Sequence, residues 1–416
     1  MKPSAIHTLL INYGRLIRNR RYFPLWLGQL FSNLGDTLHY IALVIWVYQR
    51  TGSSLVVAGT VFFEVLPVIL FAPVAGVIID RFPRKAVLVV SDLVRATLVL
   101  GLLLTTELWQ IYVIVFFLTA AGVFFNPAVN ATLPTLLDEQ DLLAANSVSW
   151  STGRLVQIIG SALAAGIIAS VGAEAAFAFN ALTFFVSALL LLLLPVPEGR
   201  SVAKQGWRSF IAAAKEGLQF ARRDYFVSRL VLVQALASLS VGATSALLVV
   251  LAQDHYQLPP GGFGSFILAI GLGALLGPFL LALLTRDVRH PRWLFGPYII
   301  RGVGDVLLAV TTILPLAWFL LFIYGLNTSS GMVVYQTWVQ RQIPDAVRGR
   351  VFTWLDVVWN VMKVVSLGLG GWLAESTRVE VVYYVGGTLL FLSGLIGIYA
   401  LRGWQVETIR DKPLAG

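Results

Sequence analysis

The sequence has 416 residues, of which 57% are apolar and only 12% are charged, and its mean hydropathy is +0.80. These values exclude an ordinary soluble protein and indicate a polytopic membrane protein. The net charge of +9 does not indicate nucleic-acid binding, because basic residues collect at the cytoplasmic face of membrane proteins. The absence of cysteine excludes disulfides, thiolate metal sites and cysteine catalysis.

Twelve apolar runs follow one another along the chain, each near the roughly twenty residues that span a bilayer. We therefore predict an all-α integral membrane protein with twelve transmembrane helices in two groups of six. The runs cover about 22–48, 55–79, 86–105, 108–134, 144–170 and 175–195, then 226–253, 263–285, 293–313, 316–340, 350–374 and 381–402.

The distribution of basic residues predicts the orientation of these helices. With both termini in the cytoplasm, 23 of the 30 Lys and Arg lie on inside segments, 2 on outside loops and 5 within helices. Short loops rich in Lys and Arg stay on the cytoplasmic side. We therefore expect a multi-pass protein of the inner (cytoplasmic) membrane with both termini inside.

The second half of the chain repeats features of the first. Arg20-Arg21-Tyr22-Phe23 resembles Arg223-Asp224-Tyr225-Phe226, and Arg95 matches Arg301 at a similar offset. Such matches predict two six-helix bundles related by a parallel repeat, which is a transporter architecture. The predicted parts are an N-terminal bundle (1–195), a cytoplasmic linker with an amphipathic surface helix (196–225), a C-terminal bundle (226–404) and a cytoplasmic tail (405–416).

The loop from Gly76 to Lys85 combines an acid, three cations and a proline between two apolar runs. It resembles the loop Gly-x-x-x-Asp-Arg-x-Gly-Arg-Arg/Lys of the major facilitator superfamily, with Pro83 in place of the glycine. Over residues 15–404 the chain is similar to the macrolide-efflux and enterobactin-exporter type of drug–proton antiporters. Further matching motifs are Gly35-Asp36, Tyr48–Ser53, Ile343-Pro344 and Arg348–Val351.

This resemblance implies proton-coupled transport by rocking of two bundles around a central site. It also implies a conformational latch on the cytoplasmic side, formed by Gly76, Asp80, Arg81, Arg84 and Arg350. The positive-inside rule would account for Arg81 and Arg84 alone, but it does not explain Asp80. The antiporter motif of the fifth helix, Gly-Pro-x-x-Gly-Gly in relatives, is here reduced to Gly160-Ser161-x-x-Ala164-Ala165.

Two carboxylates lie near the middle of the predicted membrane. Asp36 is about twelve residues from the outer end of the first helix and Glu64 about ten from that of the second, so at about 1.5 Å per residue their depths agree. An acid at this depth costs roughly 2.5–3.5 kcal/mol and marks a functional site by default. We predict that Glu64 and Asp36 couple transport to protons. Alternatively, Asp36 bonds a neighbouring helix and Glu64 pairs with Arg154.

Other polar residues within the spans are candidates for substrate binding. Lys363 has no partner nearby in sequence, and it either pairs across the cavity or contacts an anionic substrate. His39 either faces the cavity, three residues after Asp36, or packs between helices. Two further charge pairs, Asp92 with Arg95 and Arg301 with Asp305, have the spacing of ion pairs within one helix. The predicted substrate-binding residues are Lys363, Arg154, Asn33 and His39.

These observations predict a secondary active transporter, and not an enzyme, that exports an amphipathic or hydrophobic small molecule in exchange for protons. Its partners are the substrate, protons and the lipid bilayer; we expect a monomer, no nucleic acid, no metal and no cofactor. A lipid or lysolipid flippase of the same fold is one alternative. A membrane sensor or assembly subunit without transport is another, although charges within the membrane in both halves argue against it.

Overall fold

The computed structural model describes residues 16, 18–195, 219–220, 222–285, 288, 290–343 and 345–402. These residues form helices joined by short connections, and no strand occurs among them. The structure is therefore the predicted all-α fold. The long helices are α1 (Phe23–Thr51), α2 (Ser54–Arg81), α3 (Arg84–Leu102), α4 (Leu108–Val123), α5 (Phe125–Leu136), α6 (Glu139–Val171), α7 (Ala173–Leu192), α8 (Tyr225–Ala246), α9 (Phe263–Leu284), α10 (Pro291–Val310), α11 (Leu314–Gln342), α12 (Asp345–Ser376) and α13 (Val379–Ala400). Short helical segments at Leu248–Val250, Leu251–His255 and Pro260–Gly262 lie between α8 and α9.

The predicted fourth span is broken into α4 and α5 at Phe124. Pro127 explains the break, because it has no N–H to donate and its ring clashes with the carbonyl group of Val123, four residues earlier. The two pieces still form one apolar stretch, Leu108–Leu136, that is long enough to cross a bilayer. The break places the Asn126 side chain beside a cavity in the middle of the span.

Local capping fixes where several helices begin. The Asp224 side chain accepts a hydrogen bond from the backbone N–H of Val227 at 2.9 Å, which starts α8. His290 accepts from the backbone N–H of Arg292 at 3.1 Å, and Pro291 occupies the first position of α10. Gly172, with φ of 91°, makes the turn between α6 and α7 in a conformation that favours glycine.

Eleven stretches of the described chain are long and apolar enough to span a membrane. The remaining predicted span is α3, which is 19 residues long and carries Arg84, Lys85, Asp92 and Arg95. Large apolar side chains are exposed along the helices, as expected for surfaces that face lipid, and examples are Leu189, Leu192, Phe279, Leu283 and Trp372. The chain is therefore a multi-pass membrane protein.

The described residues divide into two compact units, with boundaries at Val47/Tyr48 and Phe62/Phe63. The first unit holds residues 16–47 and 63–195, and its apolar core includes Tyr22, Leu88 and Phe125. The second unit holds 48–62 and 219–402, and its core is built around Trp338, which stacks on Phe226 at 5.8 Å between ring centroids. The linker helix predicted within 196–225 lies mostly outside the described residues; of that range, residues 219–220 and 222–223 are described ahead of α8, and they are helical.

Two helix pairs of the second unit pack with their backbones in contact. A β-carbon on Gly273 of α9 would overlap the carbonyl oxygen of Phe322, and one on Gly325 of α11 would overlap that of Ile270. Gly302 of α10 and Gly387 of α13 approach each other in the same reciprocal way. Small residues allow this close contact in membrane proteins, where van der Waals packing drives helix association.

Candidate functional site

A cavity of about 410 Å³ lies inside the first unit, and we call it the charged cavity. Its wall is formed by side chains from α1 to α5. Four of the residues predicted for proton coupling or substrate binding line it together with Arg95; these four are Asn33, Asp36, His39 and Glu64. The two carboxylates that the sequence places at equal depth therefore share one cavity.

Arg95 on α3 joins two carboxylates at the wall of this cavity. Its guanidinium forms an ion pair with Asp92, one turn earlier on α3, and lies 3.4 Å from both carboxylate oxygens of Asp36 on α1. It also donates to the hydroxyl of Ser32 at 3.0 Å. Only 4% of the Arg95 side chain and none of that of Asp92 is exposed, whereas Asp36 is 48% exposed. Asp36 is thus the open member of the cluster.

Aromatic rings hold the guanidinium of Arg95 from its other sides. The ring centroids of Phe125 and Phe184 lie 4.8 and 4.3 Å from its central carbon. Both distances fit cation–π contacts, which gain strength in a site without water. The ion pair of Asp92 with Arg95 confirms the prediction from spacing, and the alternative that Asp36 bonds a neighbouring helix is also seen, in its contact with Arg95.

His39 lines the same cavity but is almost fully buried. Its ring lies 5.8 Å from that of Phe177, and within the described part of the chain neither ring nitrogen has a hydrogen-bond partner. Unpaired buried nitrogens are costly unless water or a ligand satisfies them. His39 therefore lines the cavity and also packs against Phe177 of α7, and its role in substrate binding stays a prediction.

Arg154 on α6 lines a second cavity of the first unit, of about 630 Å³, which we call the polar cavity. Its guanidinium donates to the side-chain oxygen of Gln157 at 3.0 Å. Asn33 and Asn126 line both the polar and the charged cavity, so the two spaces adjoin. The predicted substrate residues Asn33 and Arg154 therefore line the same cavity.

The second unit contains a cavity of about 440 Å³, which we call the aromatic cavity. Its lining includes Tyr298, Tyr324, Tyr335 and Trp359 from α10, α11 and α12. Arg301 also lines it, and the predicted pair of Arg301 with Asp305 is present, with 3.7 Å between their side-chain atoms. Lys363 is not among its lining residues, although it lies on α12 seven positions after one of them, Asp356.

Sequence reasoning did not select Arg95, Arg301 or Asp356 as site residues. The match of Arg95 to Arg301 at one repeat offset was the available signal, because both are largely buried arginines beside a carboxylate and an aromatic ring. Asp356 offered no such signal, since its position around the axis of α12 cannot be read from hydropathy.

The latch predicted from the loop motif is described only in part. Arg84 donates to the carbonyl oxygen of Ala131 at 2.6 Å, and Lys85 donates to that of Leu194 at 3.1 Å. Both contacts lie within the first unit and tie the start of α3 to the middle of α5 and to the residues that follow α7. The structure does not describe the side chains of Asp80, Arg81 and Arg350 or the surroundings of Gly76, so the latch stays a prediction.

A helical membrane protein with charged and aromatic cavities inside its units has the features of a solute transporter, and comparison with known proteins gives the same class. The family model described as "Transmembrane secretion effector" matches residues 16–412. The chain therefore belongs to this family of the major facilitator superfamily. It is a transporter and not an enzyme.

Curated relatives support this assignment over nearly the whole chain. The chain is 30% identical over 399 residues to the MFS-type transporter YfiS of Bacillus subtilis, covering 92% of this chain and 93% of the relative. It is 22% identical over 386 residues to macrolide efflux protein A of Streptococcus pyogenes, covering 90% and 95%. Among solved structures, that of a variant of the nucleoside transporter NupG matches with a TM-score of 0.78 at 11% identity, covering 91% of this chain and 99% of that one. This last likeness concerns the fold alone.

Proposed function

We propose that this transporter exports an amphipathic or hydrophobic small molecule in exchange for protons, by alternating access across the cytoplasmic membrane. In this proposal Asp36 and Glu64 carry the protons, and both termini lie in the cytoplasm. The similarity to macrolide efflux protein A supports export as the direction. The observation that carries the proposal is the shared lining of the charged cavity by Asp36 and Glu64.

The Arg95 cluster suggests how a proton on Asp36 could change the cavity. Arg95 faces Asp36 and Asp92, but only Asp36 is open to the cavity. When Asp36 is ionised, it holds Arg95 jointly with Asp92. When Asp36 takes up a proton, this attraction weakens and Arg95 is held by Asp92 and Ser32 alone. Protonation thus alters the charge of the cavity while the buried pair stays in place.

The test is transport in inside-out vesicles that carry a pre-formed proton gradient. Macrolides, lipophilic cations and lysolipids are offered to the wild type, Asp36→Asn and Glu64→Gln. We expect a substrate to collapse the gradient in the wild type. In each variant the collapse should be slower by about tenfold or more, because one proton-binding group is missing. Glu107→Gln is the matched control, since Glu107 is an exposed carboxylate at the start of α4 and lines none of the cavities described above.

The possible outcomes separate the alternatives. Full proton-driven transport by Glu64→Gln or by Asp36→Asn would remove that residue from the mechanism. Movement of lysolipid between leaflets without any collapse of the gradient would replace the antiporter by a flippase. Movement of no substrate of any class, by a protein shown to be folded, would favour the sensor or assembly subunit.

A further inference from the structure

We propose that the aromatic cavity binds the charged group of an amphipathic organic cation, and that the Asp356 carboxylate is the counter-ion. The assignment of this cavity as a substrate site of the exporter rests on the function proposed above. Cation binding itself, however, can be measured without transport and without a proton gradient. A failure of one proposal is therefore distinguishable from a failure of the other.

The size and lining of the cavity suit an amphipathic ligand. A volume of about 440 Å³ lies within the range of sites for drug-sized molecules. Contacts hold two of the rings in place: the Tyr298 hydroxyl donates to Gln234 at 3.2 Å, and Tyr335 packs edge-on against Phe352 at 6.1 Å between centroids. Ring faces carry partial negative charge, so such a lining attracts cations as well as apolar groups.

The positive charge in the cavity wall already has an acidic partner. Arg301 pairs with Asp305, donates to the hydroxyl of Ser245 at 3.1 Å, and lies 3.9 Å from the ring centroid of Tyr324. Only 10% of the Arg301 side chain is exposed. An incoming anion would have to compete with Asp305 for this guanidinium, so the cavity is a poor anion site.

The negative charge of Asp356 is not satisfied in the same way. The side chain is exposed and lines the cavity, and none of the basic residues whose side chains the structure describes forms an ion pair with it. The nearby amide of Asn360 donates to the backbone carbonyl of Asp356, at 2.9 Å, rather than to its carboxylate. With Arg301 and Asp305 cancelling each other, Asp356 gives the described side chains at this cavity a net negative charge. A cationic ligand would compensate this charge.

Two ions of nearly equal shape and opposite charge test the charge preference. Radiolabelled tetraphenylphosphonium is bound at equilibrium to the purified full chain in detergent at a single pH, and tetraphenylborate is used as its competitor. We expect the cation to bind saturably. The anion should bind with an affinity about a hundredfold or more lower than that of the cation, because its charge beside a carboxylate is reversed. Equal competition by the two ions would contradict a charge-selective site.

Three variants test the assigned residues. Asp356→Asn should lower the affinity for the cation about tenfold, and Trp359→Leu should lower it by a similar factor, because one removes the counter-ion and the other a ring face. Asp356→Glu keeps the charge and should retain most of the affinity. Glu107→Gln is the control for loss of a carboxylate elsewhere. Unchanged affinity in Asp356→Asn would overturn the assignment.

The position of the bound cation is tested independently of Asp356. Met332 lines the aromatic cavity and the chain has no cysteine, so Met332→Cys creates a single thiol there. Saturating tetraphenylphosphonium should slow alkylation of this thiol at least fivefold, roughly in proportion to the occupied fraction of sites. A thiol alkylated at the same rate with and without the bound cation would show that the cation binds elsewhere.

Discussion

Arg95 is the residue on which the charges of the first unit converge. It contacts two carboxylates from different helices, a serine hydroxyl and two aromatic rings, and it is almost fully buried. Burying a charge is costly unless it is paired, and removing one partner of a buried pair leaves the other uncompensated. The stability of the first unit therefore depends on the Arg95 cluster, which also includes Asp36, one of the proposed proton carriers.

Removal of the Arg95 charge alone should destabilise the protein strongly. In Arg95→Met the fully buried Asp92 loses its partner, which costs about 3–5 kcal/mol. In the double variant Arg95→Met/Asp92→Leu no uncompensated buried charge remains, so much of the thermal stability should return while proton-driven transport stays impaired. Thermal unfolding in detergent measures the first effect and vesicle transport the second. A double variant no more stable than Arg95→Met would contradict this account.

The sequence could predict some of these residues and not others. The spacing of Asp92 and Arg95 predicts their pair, because residues three apart meet on a helix. The depth of Asp36 marks it as functional, but its contact with Arg95 depends on how α1 and α3 rotate against each other. Asp356 was not predicted for the same reason, since only the three-dimensional packing places it beside the aromatic rings of the cavity.

The tightest elements of the second unit are α9 and α11, whose backbones touch at Gly273 and Gly325. At this distance no β-carbon fits between the helices, and the atoms in the way belong to the backbone, which cannot move aside as a side chain can. The two helices therefore behave as one element, and a change in the spacing between them would affect the whole unit.

Gly273→Ala should destabilise the second unit by about 1–3 kcal/mol, the usual cost of overpacking. The matched control is Gly304→Ala on α10, where an added β-carbon would find no heavy atom within 4 Å. In that open position alanine is the better helix former by up to about 1 kcal/mol, so the control should be neutral or slightly stabilising. Thermal unfolding of the two purified variants measures both. Equal melting temperatures would show that the close contact is not rigid.

Helix boundaries were predictable to within about a turn or two, and the differences have local causes. Hydropathy places the fifth and eleventh spans at about 144 and 350, but α6 begins at Glu139 and α12 at Asp345. The additional residues at these helix starts include charged and polar side chains, so a prediction based on apolar runs does not include them. The break at Phe124 could have been anticipated, because Pro127 disrupts a helix four residues upstream.

At the scale of the whole molecule, hydropathy and the internal repeat were sufficient to predict a twelve-span transporter fold. They could not predict that residues 48–62 belong to the second unit. That membership rests on specific side-chain contacts, such as the hydrogen bond of 2.5 Å from the Tyr48 hydroxyl to Asp254 and that of 2.9 Å from Ser53 to Glu375. Contacts of this kind depend on three-dimensional packing and leave no periodic trace in the sequence.

The orientation of the whole molecule remains a prediction from its basic residues, and single thiols test it. Thr106 lies in the connection before α4, on the predicted outside, and Phe82 lies in the connection before α3, on the predicted inside; both side chains are exposed. A membrane-impermeant maleimide added to intact cells should label Thr106→Cys, and should label Phe82→Cys only after permeabilisation. The cysteine-free parent chain gives the background. If only Phe82→Cys were labelled in intact cells, the topology would be the opposite of the predicted one.

The close pairing of α9 with α11 and of α10 with α13 also constrains how the protein is made. Neither pair consists of neighbours in sequence, so each first helix is synthesised well before its partner exists. Roughly 85 residues separate Gly302 from Gly387, so on the order of 4–17 s pass between them at about 5–20 residues per second. During that interval the glycine face of α10 must rest against lipid or another helix. The second unit therefore cannot assemble helix by helix as it leaves the ribosome, and its packing is completed only when α13 arrives.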